Sequence, residues 1–158
     1  MADHSGRVAM FAFMLAYEYY KSEEAAYRVA TYGLFHDFSE SLLKNDANSS
    51  IKKKYGIREI LKQLEHDVVS DMFSSDTPAS ATVRSIVLEQ CDSMDYKLFK
   101  MADTLDFGLF VWHEVHLGNQ HLLPLIDSFR HEFNQHPEET RRLEIAWKTA
   151  KKILDESD

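Results

Sequence analysis

The stretch LFHDFSESL, Leu34 to Leu42, sets a histidine beside an aspartate and a glutamate three residues after the aspartate, among mostly apolar neighbours. Read as helix, its apolar positions belong to a core, and the three ionisable side chains have two readings. They are the solvated edge of an ordinary helix, or one wall of a metal site whose other ligands lie elsewhere in the chain. Neighbours on a helix point about 100° apart, so His36 and Asp37 can share an ion only near a helix edge or terminus. Glu40 lies four residues after His36 and falls on the same helical face.

The sequence around this stretch reads as helix throughout. Only 5 glycines and 3 prolines occur in 158 residues, and no segment alternates with a period of two, which predicts an all-α protein. The length is that of one domain, residues 1–158, able to bury a core without staples. A first helix is expected over about His4 to Tyr20, capped by Asp3 or Ser5. It contains VAMFAFMLAYEYY, which Glu18 interrupts and no basic segment precedes, so it reads as a buried helix face rather than a targeting or membrane segment. A second helix should start after Ser22, with acidic residues in its first turn, and end around Phe38. Lys44 to Gly56 reads as a loop. A third helix carries Ile57, Ile60, Leu61, Leu64 and Val68 on one stripe, and Pro78 opens a fourth reaching about Gln90. A long fifth helix ends at Gly118. A last one, from about His121 toward Leu154, should bend or break at Pro137.

Lys plus Arg number 18 against 26 for Asp plus Glu, a net charge of −8. That balance disfavours a general binder of nucleic acid or of a membrane surface, because phosphate backbones demand positive charge. A small phosphorylated ligand remains accessible to a metal and a few local basic residues. The single cysteine, Cys91, excludes an internal disulfide, suits a reducing compartment and reads as a small buried residue. Cytoplasmic residence is the expectation.

Further candidate ligands lie outside the opening stretch. Asp103 sits in KLFKMADTLDFG, a markedly apolar helix in which an acid needs a partner or a metal. Asp106, three residues on, either shares that face or is solvated. His4 stands at the start of the first helix. His4, His36, Asp37 and Asp103 together offer two nitrogens and two carboxylates, with positions left for water or substrate, and such a set suits Zn, Mn, Co or Fe. WHEVH, by contrast, spaces His113 and His116 three apart around Glu114, not the four of a zinc-protease helix. His66, His121, His131 and His136 read as surface or packing residues, and Phe107, Phe110 and Trp112 as core or a subunit contact.

ADHSGRVAMFAFML, LFHDFSE and LFKMADTLDFGLF resemble the three signature segments of the HD superfamily of metal-dependent phosphohydrolases. They are most similar to the YfbR-like branch of 5′-deoxynucleotidases, which includes phage enzymes that remove triphosphate from deoxynucleoside triphosphates. The resemblance runs from His4 to about Leu123 and implies a single HD-domain bundle of about six helices. It makes His4 the first metal histidine, His36 and Asp37 the doublet, Asp103 the distant aspartate and Glu40 the catalytic carboxylate. The branch follows its glutamate with a Gly-Asp and then a Thr/Ser-Pro-x-Lys loop. Here KNDANSSIKKK puts Asp46 one residue out of place and lacks the proline; Ser49, Ser50, Lys52 and Lys53 are candidate contacts to phosphate or sugar. Arg7, one turn after His4, is a further phosphate candidate.

Relatives also carry an Arg-Trp pair before the first histidine, whereas three residues precede His4 here. Either those roles are filled from elsewhere, or this is a shortened or divergent member. The implied reaction is hydrolysis of a deoxynucleoside 5′-monophosphate by metal-activated water. Triphosphate hydrolysis, with Mg admitted as a second ion, and a non-catalytic metal- or nucleotide-binding role are the alternatives. The branch implies a homo-oligomer, at least a dimer.

Overall fold

Ser22 illustrates how local chemistry sets the helix boundaries. Its hydroxyl accepts from the Ala25 N–H at 3.3 Å, satisfying one of the backbone donors that a helix start leaves without an internal partner. Glu23 and Glu24 follow in the first turn, where the helix dipole favours negative charge. Just before it, Lys21 takes a positive φ of 54°. Its N–H closes on the Tyr17 carbonyl at 2.8 Å, and its Nζ reaches Glu18 at 2.6 Å, so one residue ends a helix before the next begins.

A computed structural model describes residues 2–39, 54–75, 77–88 and 94–134, together with 52, 148 and 152. Among the described residues there are six α-helices and no strand: α1 (Ala2–Tyr20), α2 (Glu23–Phe35), α3 (Arg58–Met72), α4 (Pro78–Leu88), α5 (Met94–His116) and α6 (Leu123–Asn134), with a 3-10 helix at Gln120–Leu122 between the last two. The fold is all-α, as the glycine and proline scarcity implies. Pro78 opens α4 as expected, and Gly118, with φ of 99°, follows the end of α5. No described helix is long and apolar enough to cross a membrane.

Two boundaries differ from the sequence expectation. α2 stops at Phe35 rather than Phe38, and His36 and Asp37 form a turn beyond it. Lys52 and Lys54 have helical backbone, although the segment around them reads as loop. The expected end of the fourth helix near Gln90, the Pro137 break, and Glu40, Asp46, Ser49 and Lys53 lie outside the described residues.

The chain divides into two units, one of residues 1–34 with 92–158, the other of residues 35–91. In the first, Val8, Ala12, Leu15 and Ala16 of α1 are buried at helical spacing, as are Leu98, Ala102 and Leu105 of α5. Ala26 and Val29 of α2 and Phe129 of α6 complete this core. The run from Val8 to Tyr20 is thus the buried helix face its sequence suggests. In the second unit α3 packs with α4, and Arg84 donates to the Phe73 carbonyl at 3.3 Å. Val69 is the buried residue of α3, with Leu61 and Val68 half-buried. Ile60 and Leu64 are 69% and 45% exposed, so the stripe read from the sequence is wider than the contact. Among the described residues, α4 packs against an edge of α3 rather than its whole apolar arc.

Two glycines set how closely helices approach. A Cβ on Gly33 would lie 2.9 Å from the backbone of Ala9 in α1, and one on Gly108 would lie 2.6 Å from the Phe129 ring. Alanine is the better helix former by about 1 kcal/mol, so neither glycine is kept for helicity. Gly33→Ala and Gly108→Ala are each expected to cost about 1–3 kcal/mol. Gly33 should be the costlier, because a backbone cannot turn aside as a ring can. Urea unfolding of both variants checks the order.

The far end of the first unit is tied by Asp95 at the start of α5. It accepts from Tyr20 at 2.7 Å and from Arg28 Nε at 2.6 Å. Burial pushes its carboxyl up, but the hydrogen bonds from Arg28 and Tyr20 and the guanidinium charge outweigh that and hold it below the ordinary range. Burial and the same carboxylate push the Tyr20 phenol up to about 12. With the folded carboxyl below its unfolded value of about 3.9, the cluster contributes fully above that pH and loses its contribution as pH falls through the folded value. Asp95→Asn is expected to cost about 1–3 kcal/mol at pH 7. Denaturation at pH 7 and pH 3 should show that deficit shrinking in acid.

Candidate metal centre

α1 and α5 run antiparallel in the first unit. The end of α1 therefore meets the start of α5 at Asp95, and the start of α1 meets the middle of α5. At this second crossing lie His4 and Arg7, one turn apart, facing Asp103 and Asp106, also one turn apart. Asp106 is 3% exposed, an expensive place for a carboxylate unless it is fully partnered. Its Oδ1 accepts from Arg7 Nε at 2.6 Å, and its Oδ2 accepts from Arg7 Nη2 at 3.1 Å. His4 Nδ1 lies 2.7 Å from the same Oδ2. Burial raises the Asp106 carboxyl, but the hydrogen bonds and charges of Arg7 and His4 outweigh it and hold the group below the ordinary carboxylate range. Arg7 stays raised, its hydrogen bond to Asp106 the largest cause.

These contacts place a proton on Nδ1 of the His4 ring. An ionised carboxylate only accepts, so Nδ1 carries the proton it donates to Asp106. In the neutral ring Nε2 then bears a lone pair, and it lies 3.5 Å from Asp103 Oδ1, longer than a hydrogen bond normally spans. Two metal bonds of ~2.1 Å place adjacent ligand atoms roughly 3.0–3.4 Å apart. The His4–Asp103 pair thus has the donor chemistry and close to the spacing of two neighbouring ligands. Both side chains are partly exposed, at 31% and 27%. The other Asp103 oxygen lies 3.1 Å from Lys100 Nζ.

In the second unit His36 Nε2 and Asp37 Oδ1 lie 3.1 Å apart in the turn after α2, with the His36 side chain buried. A turn lets two consecutive residues present their side chains together, which a regular helix opposes. This is another nitrogen–carboxylate pair at ligand spacing.

Of the residues singled out by sequence, then, His4 and Asp103 are brought together on facing helices, and His36 and Asp37 in one turn. Arg7 is half exposed, and its guanidinium is engaged by Asp106. Lys52 is half-buried on helical backbone. His116 of WHEVH turns back on its own helix, with Nδ1 2.9 Å from the Trp112 carbonyl. The residue whose role sequence left open is Asp106. Its signal is the pairing of a second acid, three residues after Asp103, with a base one turn after His4.

The fold and these pairs define an all-α protein with histidine–carboxylate chemistry suited to a divalent ion. Residues 1–144 match the model of the family described as 5′-deoxynucleotidase YfbR-like, and the chain belongs to that family. No curated protein matches the chain.

A bound divalent ion stabilises the folded state by about 2.7 kcal/mol at a free concentration of 100 Kd. Metal-free protein supplied with Co²⁺ or Mn²⁺ is therefore expected to melt higher. Asp103→Asn should lose most of that rise, each melt with ion compared with the same variant's metal-free melt. Thermal melts with and without ion measure both.

Proposed function

We propose that His4, His36, Asp37 and Asp103 hold one divalent first-row ion and that the protein hydrolyses deoxynucleoside 5′-monophosphates to deoxynucleoside and phosphate. The observation that carries this reading is the family match over residues 1–144, joined to a donor set, His4, His36 and Asp103, that could hold a metal ion.

Such an ion, when bound, supplies Lewis-acid polarisation of the phosphoryl group and a water acidified toward neutral pH. Hydrolysis forms a bond from the water oxygen to phosphorus and breaks the bond from phosphorus to the 5′ oxygen, which leaves with a proton. Glu40 is the residue assigned to that proton, taken from the water or passed to the leaving oxygen. Asp46, Ser49, Lys52 and Lys53 are assigned to phosphate and sugar, with Arg7 as a further basic group beside the centre. The net charge of −8 favours a monophosphate over a triphosphate, whose larger negative charge demands more basic residues or Mg as a second ion. A homo-oligomer in the cytoplasm, at least a dimer, completes the reading.

A metal-supplemented screen over dAMP, dATP and an inert diphosphate ester tests it. Phosphate release from dAMP is expected, with Glu40→Gln reducing it at least 100-fold while metal content persists. Triphosphate release from dATP without turnover of dAMP would move the assignment to triphosphate hydrolysis. No turnover with any metal or nucleotide would leave a binding protein.

A further inference from the structure

We infer that Asp106 is a positioning residue for His4: by accepting a hydrogen bond from Nδ1 it turns Nε2 toward Asp103 and a bound ion. The inference rests on the reading of His4 as a metal ligand. Asp106 belongs neither to the ligand set nor to the groups assigned to substrate.

Both Asp106 oxygens are committed, Oδ1 to Arg7 Nε and Oδ2 to Arg7 Nη2 and His4 Nδ1. The forked guanidinium holds the carboxylate plane, so Asp106 cannot swing round to become a ligand itself. A clamp between α1 and α5 would need only the Arg7 pair. The bond to His4 does something else: it selects one tautomer of a partly exposed ring and leaves the other nitrogen facing a carboxylate 3.5 Å away. A carboxylate behind a metal-bound imidazole orients the ring and makes it a stronger donor, and losing such a partner typically weakens metal binding about 10–100-fold.

The test separates positioning from clamping. Arg7→Gln removes the ion pair but keeps the carboxylate behind His4, whereas Asp106→Asn removes the charged acceptor. Co²⁺ titration of the metal-free proteins is expected to show Asp106→Asn weakened about 10–100-fold and Arg7→Gln much less. Equal losses, or none in Asp106→Asn, would overturn the inference. ¹⁵N-histidine NMR of the unsubstituted metal-free protein gives a second readout that needs no stable variant. His4, assigned by loss of its signals in His4→Gln, is expected as the Nδ1–H tautomer once neutral; the Nε2–H tautomer would overturn the inference. If His4→Gln binds Co²⁺ as tightly as the unsubstituted protein, the metal reading itself fails and the inference with it. If His4→Gln loses the ion and Asp106→Asn keeps it, only the inference fails.

Discussion

A buried carboxylate must be answered, and in this protein the answer organises the first unit. Asp106, 3% exposed on α5, would cost several kcal/mol if left without partners. Arg7 and His4, both on α1, supply three contacts between them. α1 therefore cannot slide or rotate against α5 without stranding a charge in the core. Asp95 repeats the device at the other end of the pair, with Tyr20 from α1 and Arg28 from α2. Between these anchors the contact is apolar and closely fitted, built from Val8, Ala12, Leu15 and Ala16 on one side and Leu98, Ala102 and Leu105 on the other. Registry of this kind is the best-attested service of a buried ionic group.

That registry has a chemical consequence. Once α1 is held by Asp106, His4 has one ring nitrogen spoken for and the other beside Asp103. The same rigid helices that form the core thus aim a nitrogen and a carboxylate at one point. Gly33 fits α2 closely to α1, because only a residue without a Cβ can lie against the Ala9 backbone there. The doublet His36 and Asp37 follows in a turn. Membership of the 5′-deoxynucleotidase YfbR-like family gives these pairs a coherent use.

Much of this was legible in the sequence, for physical reasons that particular residues make plain. Ser22 with its two following glutamates, Pro78, and Gly118 mark helix ends because capping, fixed φ and positive φ are local properties. The buried face from Val8 to Tyr20 follows from helical spacing alone. Asp103 was a candidate because an acid in an apolar helix demands a partner, and His4 because its segment resembles a family signature. Local pattern could not fix the end of α2, where His36 and Asp37 leave the helix despite helical-looking neighbours. Nor could it fix the width of the apolar stripe on α3, since what covers Ile60 and Leu64 is a matter of tertiary packing. Whether Asp106 was solvated or buried also stayed open, because three residues' spacing does not say which of two carboxylates faces Arg7.

The central claim is that α1 and α5 hold His4 Nε2 and Asp103 as neighbouring ligands while Asp106 stands behind the ring. Anomalous diffraction from crystals of the protein grown with Co²⁺ tests it most directly. The account requires one anomalous peak about 2.1 Å from His4 Nε2 and bonded to Asp103, with Asp106 still on His4 Nδ1. A peak coordinated by Asp106, or by His4 through Nδ1, would contradict it.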